Sequence, residues 1–191
     1  NWTRQAATGW SLGVTMGRIL RDGADNRFST ASGLAGTSSD WLAAVRLETD
    51  AGVALTNRLI LDDGGALTKA ELRLDLESDR VDLSSAFIWM QADPAEARDA
   101  DVRELAFDGR YAFTPALSGR LATRYDFETG RAASAGLKVE YRNECLKVDL
   151  SLSRRFTSST SVKPVTDFGL SVELLGFGGQ SRPGPSRLCR G

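Results

Sequence analysis

The chain contains no histidine. That absence removes the commonest general base and the commonest metal ligand at neutral pH, so most hydrolytic and metal-assisted chemistries start at a disadvantage. Its two cysteines, Cys145 and Cys189, are too few for a structural zinc site without histidine. Charged residues interrupt every apolar run well short of the ~18 residues that a membrane helix requires, which excludes a helical membrane protein. Neither sign of charge is in surplus: 24 Lys and Arg face 25 Asp and Glu, a net charge of -1. A broad nucleic-acid footprint needs a surplus of cations gathered on one face, so no nucleic-acid partner is expected. The first residue is Asn1, and no basic, apolar, small-residue leader opens the chain, so it reads as a processed or excised piece of a longer protein.

What is present is alternation. With 191 residues and 41% hydrophobic content the chain can fold. Gly9 to Leu20 reads as a first strand and the polar segment from Arg21 to Asp40 as a loop. From Trp41 the period is two: Trp41, Ala43, Val45 and Leu47 fall on one side, Ala44, Arg46 and Glu48 on the other. Val53, Leu55, Leu59 and Leu61 continue the apolar side, with Ile60 breaking the polar one. The clearest strand sets Ala70, Leu72, Leu74 and Leu76 against Lys69, Glu71, Arg73, Asp75 and Glu77; a helix would scatter those leucines around its cylinder. Further strands fit 81–91, 102–113, 117–127, 133–143, 146–156 and 168–177.

These strands, about ten in all, are near the ~9–11 residues needed to cross a bilayer at a tilt, whereas soluble strands run nearer 5–6. Connections at Asp50, Ser78, Thr114 and Asn143 are short. Those at 21–40, 94–101 and 157–166 are longer, and the turn at Asp62 is a short exception among them. Such alternation fits an antiparallel up-and-down outer-membrane barrel with tight periplasmic turns and roomier outer loops. Most aromatics fall near strand ends, as interfacial girdles require: Trp10, Trp41, Trp89, Tyr111, Phe113, Tyr125, Phe127, Tyr141, Phe156, Phe168 and Phe177, with Phe87 and Phe107 further in. Alternating strands also build soluble lipocalin-like barrels and sandwiches, which turn the apolar face inward. In the membrane form the polar face lines a wet lumen, where Lys69, Glu71, Arg73, Arg120, Arg124, Lys138, Glu140 and Arg142 pair across strands or with a partner.

Catalytic signatures are absent. Gly9-Trp10-Ser11-Leu12-Gly13 matches a nucleophile elbow, but it lies in a strand pattern and has no histidine to activate the serine. Asp167-Phe168-Gly169 imitates a kinase magnesium triplet without its phosphate loop. Asn1-Trp2-Thr3 is a bare sequon. Asp62, Asp63, Asp99 and Asp101 sit in turns and loops, where solvated carboxylates are the default. No catalytic residue, metal or cofactor is assigned. Hairpin counting places Cys145, after a short turn, and Cys189, in the tail beyond the last strand, on one oxidising side, where they reach a disulfide with each other or with another segment, or stay as two thiols.

At Tyr141-Arg142-Asn143-Glu144-Cys145, at 149–159 and at Thr166-Asp167-Phe168-Gly169-Leu170 the chain resembles the C-terminal region of the LPS-assembly protein LptD family in its alphaproteobacterial form. The specific match covers about 40 residues of sequence; the remaining strands agree in pattern. The resemblance implies a large outer-membrane barrel of about 26 strands preceded by a periplasmic jelly roll. Residues 1–177 would be the C-terminal portion of that barrel, an all-β segment of about ten strands, and 178–191 a periplasmic tail.

The implied function is transport and assembly of lipopolysaccharide, not catalysis. The cargo would leave through a lateral gate whose C-terminal strand carries Phe168, Leu170, Val172, Leu174 and Phe177. Implied partners are lipopolysaccharide, the plug lipoprotein LptE, the bridge protein LptA through the N-terminal domain, the barrel-assembly machinery and membrane lipids. Cys145 occupies the position of the family's interdomain cysteines, although Glu144 stands where some members carry a second one; Cys189 is a candidate replacement partner. A porin-like channel without lipopolysaccharide specificity is the competing expectation.

Overall fold

The computed structural model describes residues 1–25, 28, 32–156 and 163–175. Within them the chain forms β1 (Trp2–Ala6), β2 (Trp10–Gly17), β3 (Leu20–Asp25), β4 (Gly36–Ser38), β5 (Trp41–Thr49), β6 (Val53–Leu61), β7 (Leu67–Glu77), β8 (Val81–Met90), β9 (Val102–Ala112), β10 (Leu117–Asp126), β11 (Arg131–Arg142), β12 (Leu146–Arg155) and β13 (Val165–Leu174). Eleven of these make one sheet in the order β1-β2-β5-β6-β7-β8-β9-β10-β11-β12-β13. Each strand pairs antiparallel with its neighbour, so the sheet is an up-and-down meander consistent with a β-barrel segment. β3 and β4 form a separate two-stranded hairpin. No described helix is long and apolar enough to cross a membrane.

The register keeps the two faces apart across the whole sheet. Leu121 faces Leu137, which faces Leu152, which faces Phe168. One residue along, Arg120 faces Lys138 and Lys138 faces Ser151. A slip by a single residue would exchange these faces, so the leucine rows fix the pairing.

Among the described residues no hydrophobic side chain is buried; the buried ones are Ser39, Thr56 and Ser118. Leu152 is 48% exposed and Leu170 64%. A soluble sandwich or lipocalin would hide these leucines against a second layer or in its interior. Here the sheet is a single layer with both faces open. Strands β8 to β13 have 10 to 12 residues; at ~3.3 Å per residue and a tilt near 45° they rise about 23 Å, the height of a membrane barrel's apolar band.

Rings gather on the apolar face at both ends of the strands. Tyr111 and Phe113 meet edge to face at 5.1 Å at the short-turn end. At the other end Phe127 touches Tyr125 at 5.0 Å and Phe87 at 6.0 Å, so Phe87 belongs to a girdle cluster despite its position in the sequence. Phe107 lies further in, its ring close over Gly109. Phe113 covers Gly119 in the same way, each ring filling the space a missing Cβ leaves on the sheet.

Three expectations change. The sheet gains β1, a short first strand paired to β2 through Trp2↔Val14 and Ala6↔Trp10. The 21–40 segment is not a plain loop: β3 and β4 pair within it, and Ser39 ties it to Ile19 through Ile19 N–H donating to Ser39 Oγ at 2.8 Å and Ser39 N–H donating to the Ile19 carbonyl at 2.9 Å. The last strand runs Val165–Leu174 instead of 168–177, because Leu146↔Leu174 and Arg155↔Val165 close its register. Phe177 and the 178–191 tail lie outside the described residues.

Candidate functional site

The charged face is the first surface to which chemistry can be assigned. Lys69, Glu71 and Arg73 stand on it from β7, Arg120 and Arg124 from β10, and Lys138, Glu140 and Arg142 from β11, all in rows of one parity. Most of them meet a side chain of opposite charge, across the register or two residues along the strand. Arg58 reaches Glu71 at 3.4 Å and Arg73 reaches Asp75 at 2.9 Å. Arg110 reaches Asp82 at 3.1 Å, Arg120 reaches Asp108 at 2.9 Å and Arg124 reaches Glu104 at 3.8 Å. Lys138 and Lys147 share Asp149 at 3.0 and 3.3 Å, with Glu140 beside both at 3.7 and 3.8 Å. Lys69 and Arg142 make no ion pair among the described residues.

These side chains are mostly a third to a half exposed, Arg120 57% and Asp108 40%. Pairs in that setting contribute roughly 0–1 kcal/mol each, so the lattice sets local charge more than it holds the sheet. The rows Glu77↔Asp82↔Arg110↔Arg120↔Lys138 and Asp75↔Ser84↔Asp108↔Ala122 run side by side, placing the three cations Arg110, Arg120 and Lys138 between Asp82 in their own row and Asp108 in the next. The signal for the missing members was the same alternation: Asp82, Glu104, Asp108, Lys147 and Asp149 share the parity of the residues that were named.

The second surface is the edge made by β13. Leu170, Val172 and Leu174 pair with Leu150, Val148 and Leu146, and Phe168 with Leu152, so all four stand on the apolar face. They are among the most exposed large hydrophobics, Phe168 at 70%. Among the described residues β13 hydrogen-bonds only to β12, and β1 only to β2. Each therefore presents a row of unpaired backbone donors and acceptors.

At the short-turn end the two surfaces meet beside Cys145. Asn143 Oδ1 accepts from the N–H groups of Cys145 at 2.9 Å and Leu146 at 2.7 Å, closing the β11–β12 turn. The N–H of Leu175, just past β13, donates to the carbonyl of Cys145 at 2.8 Å. No free thiol stands among the described residues. Cys189 lies outside them.

The longer loops carry their own fixings. Asp101, expected as a solvated carboxylate, instead latches the 92–101 loop: its Oδ1 accepts from Ala92 N–H at 2.9 Å and its Oδ2 from Trp89 Nε1 at 3.3 Å. The Ala92 N–H bond, with the Trp89 bond and the Arg103 charge, holds its carboxyl below the usual range against some desolvation. Asp40 moves the other way. Desolvation raises it, and the charges of Asp62 and Asp63 add to that shift against Lys69 and Arg18. Asp63 pairs with Arg18 at 3.1 Å, and Asp62 Oδ1 accepts from Ala66 N–H at 2.8 Å.

Ser11 lies within β2, its hydroxyl 3.4 Å from Glu48, and Asp167-Phe168-Gly169 lies within β13. Neither occupies the turn that its motif requires. No protein-family model matches the chain, and no curated protein matches it significantly.

Proposed function

We propose that the chain is the C-terminal segment of a large outer-membrane β-barrel that transports lipopolysaccharide to the cell surface and has no catalytic role. The observation that carries the barrel half of this reading is the single-layer sheet with no buried apolar side chain, leucines on one face and an ion-pair lattice on the other. Such a sheet is stable where hydrocarbon covers the apolar face and water the charged one. The cargo half rests on the resemblance of residues 141–170 to the LptD family.

In this reading the face bearing Lys69, Glu71, Arg73, Arg120, Arg124, Lys138, Glu140 and Arg142 lines the lumen and meets the plug lipoprotein LptE and the sugars in transit. LptA delivers the cargo through the N-terminal domain. β13 is the C-terminal side of a lateral gate. Separating one strand pair breaks a limited set of backbone hydrogen bonds, each worth about 1 kcal/mol net and more where lipid replaces water. Cys145 bonds to Cys189, and the departure of the chain from beside Cys145 at Leu175 supports that pairing.

Depletion of the parent protein in cells tests the function. Surface lipopolysaccharide is expected to fall while the lipid accumulates inside. Unchanged surface lipopolysaccharide would leave the porin-like reading in its place. In the intact protein, photo-crosslinkers at Leu170, Val172 or Leu174 are expected to capture lipopolysaccharide or the barrel's first strand, and absence of both adducts would sink the gate assignment.

A further inference from the structure

Over much of the charged face a cation is held by a carboxylate, as Arg120 is by Asp108 at 2.9 Å and Arg110 by Asp82 at 3.1 Å. Away from the short turns, across β9 to β13, that pairing lapses. Two neighbouring rows of charged-face residues run Ala106↔Arg124↔Ser134↔Arg155 and Ala122↔Gly136↔Ser153↔Asp167. Ala106, Ala122 and Gly136 carry little or no side chain, and over them opens a cavity of about 480 Å³ lined by the residues of both rows. That volume falls within the ~300–1,000 Å³ of small-molecule clefts. Arg155 and Asp167 make no ion pair among the described residues, and Arg124 has there only Glu104, at 3.8 Å. The hydroxyls of Ser134 and Ser153 are likewise without a hydrogen bond among the described residues.

The geometry points to a binding site for a sugar that bears an anionic group, a phosphate or a carboxylate. Arg124 and Arg155 flank Ser134 in one row, about 10 Å apart at the backbone at ~4.8 Å per strand, a gap that two long side chains close from both sides of a single anion. Each guanidinium presents paired donors that match a phosphate or a carboxylate. Ser134 and Ser153 add hydroxyls that both donate and accept, and Asp167 accepts from hydroxyl donors. Asp167 also separates ligand classes. It repels a bare anion and gains nothing from a hydrocarbon chain, whereas a hydroxylated ring with one anionic group satisfies the carboxylate and both arginines together. The backbone under the site is bent: the β10–β11 ladder shifts register between Arg124 and Tyr125, leaving Ala133 as the extra residue just before Ser134. A bulge bends its strand and re-aims the side chain beside it, and bulges recur next to active sites. Phe156 N–H donating to the Ala133 carbonyl at 2.9 Å and Thr123 Oγ1 donating to the Ser134 carbonyl at 3.1 Å hold that bend.

The inference rests on the water-facing lumen of the proposed function and does not depend on its cargo. The test uses the full chain, with isotope-labelled arginine, refolded in polyoxyethylene-ether micelles, and follows the arginine Nε–H signals by NMR. A water-soluble gadolinium chelate is expected to broaden Arg110 and Arg120; if it left them sharp, the water-facing reading would fail and the site with it. Glucuronate and glucose monophosphate are then expected to shift Arg124 and Arg155 together, at concentrations at least about tenfold below those at which glucose or inorganic phosphate does so. Arg124→Gln and Arg155→Gln should each raise the midpoint for the anionic sugars about tenfold, through loss of one charge-assisted contact. Gly136→Val keeps both arginines and fills the floor, where an added Cβ meets nothing closer than 3.8 Å, and should abolish the shifts while the Arg110 and Arg120 signals stay in place. An equal response to phosphate and to the anionic sugars, or shifts that survive Gly136→Val, would reduce the site to a general cationic patch and overturn the inference. Unmoved Arg124 and Arg155 signals in a chain whose Arg110 and Arg120 the chelate reaches would overturn it too, and would leave the barrel reading standing.

Discussion

The N–H of Leu175 donates to the carbonyl of Cys145 at 2.8 Å, tying the end of the last strand to the cysteine turn between β11 and β12. Asn143 holds that turn from the other side. The cysteine and the edge strand, which lie far apart in sequence, are therefore one structural unit at the short-turn end. A covalent bond at Cys145 would fix the base of β13 while leaving its opposite end, near Val165, free to part from a neighbour.

Peptide mapping without reductant is accordingly expected to yield one linked pair containing Cys145 and Cys189. Cys145→Ser is expected to lower stability by about 3–4 kcal/mol in the chain-entropy estimate for a loop of roughly 45 residues. The check is the urea midpoint of the refolded chain with and without reductant. Identical midpoints for the oxidised chain, the reduced chain and the serine variant would show that no stabilising disulfide forms.

Gly52 is the position where the β5–β6 turn can accept no other residue. Its φ is 79°, its carbonyl accepts from Glu77 N–H at 2.8 Å, and a Cβ would collide with the carbonyl oxygen of Glu77. The left-handed conformation costs a non-glycine residue roughly 1–2 kcal/mol, and relieving the clash with a paired strand roughly 1–3 more. Gly52→Ala should therefore destabilise the chain by at least about 2 kcal/mol, read as a lower urea midpoint with an unchanged slope. Gly65→Ala is the comparison: φ is 82° but nothing lies within 4 Å of the added carbon, so only the conformational part should appear.

The meander and its two faces were legible because period-two alternation carries both strand identity and facing, and a one-residue slip would put Leu121, Leu137 and Leu152 on the charged side. β1 was not legible, since its five residues break the rule: Arg4 stands on the apolar face and stacks over Trp10 at 5.7 Å. The β3–β4 hairpin was hidden for a different reason. It is held by Arg21 donating to the Leu34 carbonyl at 2.6 Å and by the Ser39 bonds to Ile19, contacts that leave no periodic trace. The Cys145–Leu175 contact depends on the β12–β13 register, and so on three-dimensional pairing that neither segment states alone.

The two loop carboxylates should respond to pH in opposite directions. Asp101 has a lowered pKa in the folded chain, so its contribution is fully present above the unfolded value of about 3.9 and is lost as pH falls through the lowered folded value. Asp40 has a raised pKa; its charged form opposes folding above the folded value, and that opposition fades as pH falls. Protection of the Ala92 amide from exchange is therefore expected to persist at neutral pH, to weaken in acid below about pH 3.9, and to be lost at all pH values in Asp101→Ala. Asp40→Asn should raise the melting temperature at neutral pH, with the gain shrinking toward acid. A gain that grew toward acid would contradict the desolvation and repulsion that Asp62 and Asp63 impose.

Whether the charged face is wet can be read from Lys138 and Asp149, 3.0 Å apart with side chains 41% and 19% exposed. In a water-filled lumen their coupling, measured by a double-mutant cycle with Lys138→Met and Asp149→Asn, should be below about 1 kcal/mol and should shrink as salt is added. In a dry interface, removing one partner would strand the other, and the single mutants would each cost about 3–5 kcal/mol. Asp149 makes the comparison sharper because it also holds Lys147 at 3.3 Å, so Asp149→Asn leaves both lysines with Glu140, the residue opposite it in register, as their remaining carboxylate. A small, salt-sensitive coupling with mild single mutants is the expected outcome. A large coupling that salt leaves unchanged would mean that a tightly packed partner, and not solvent, covers this face.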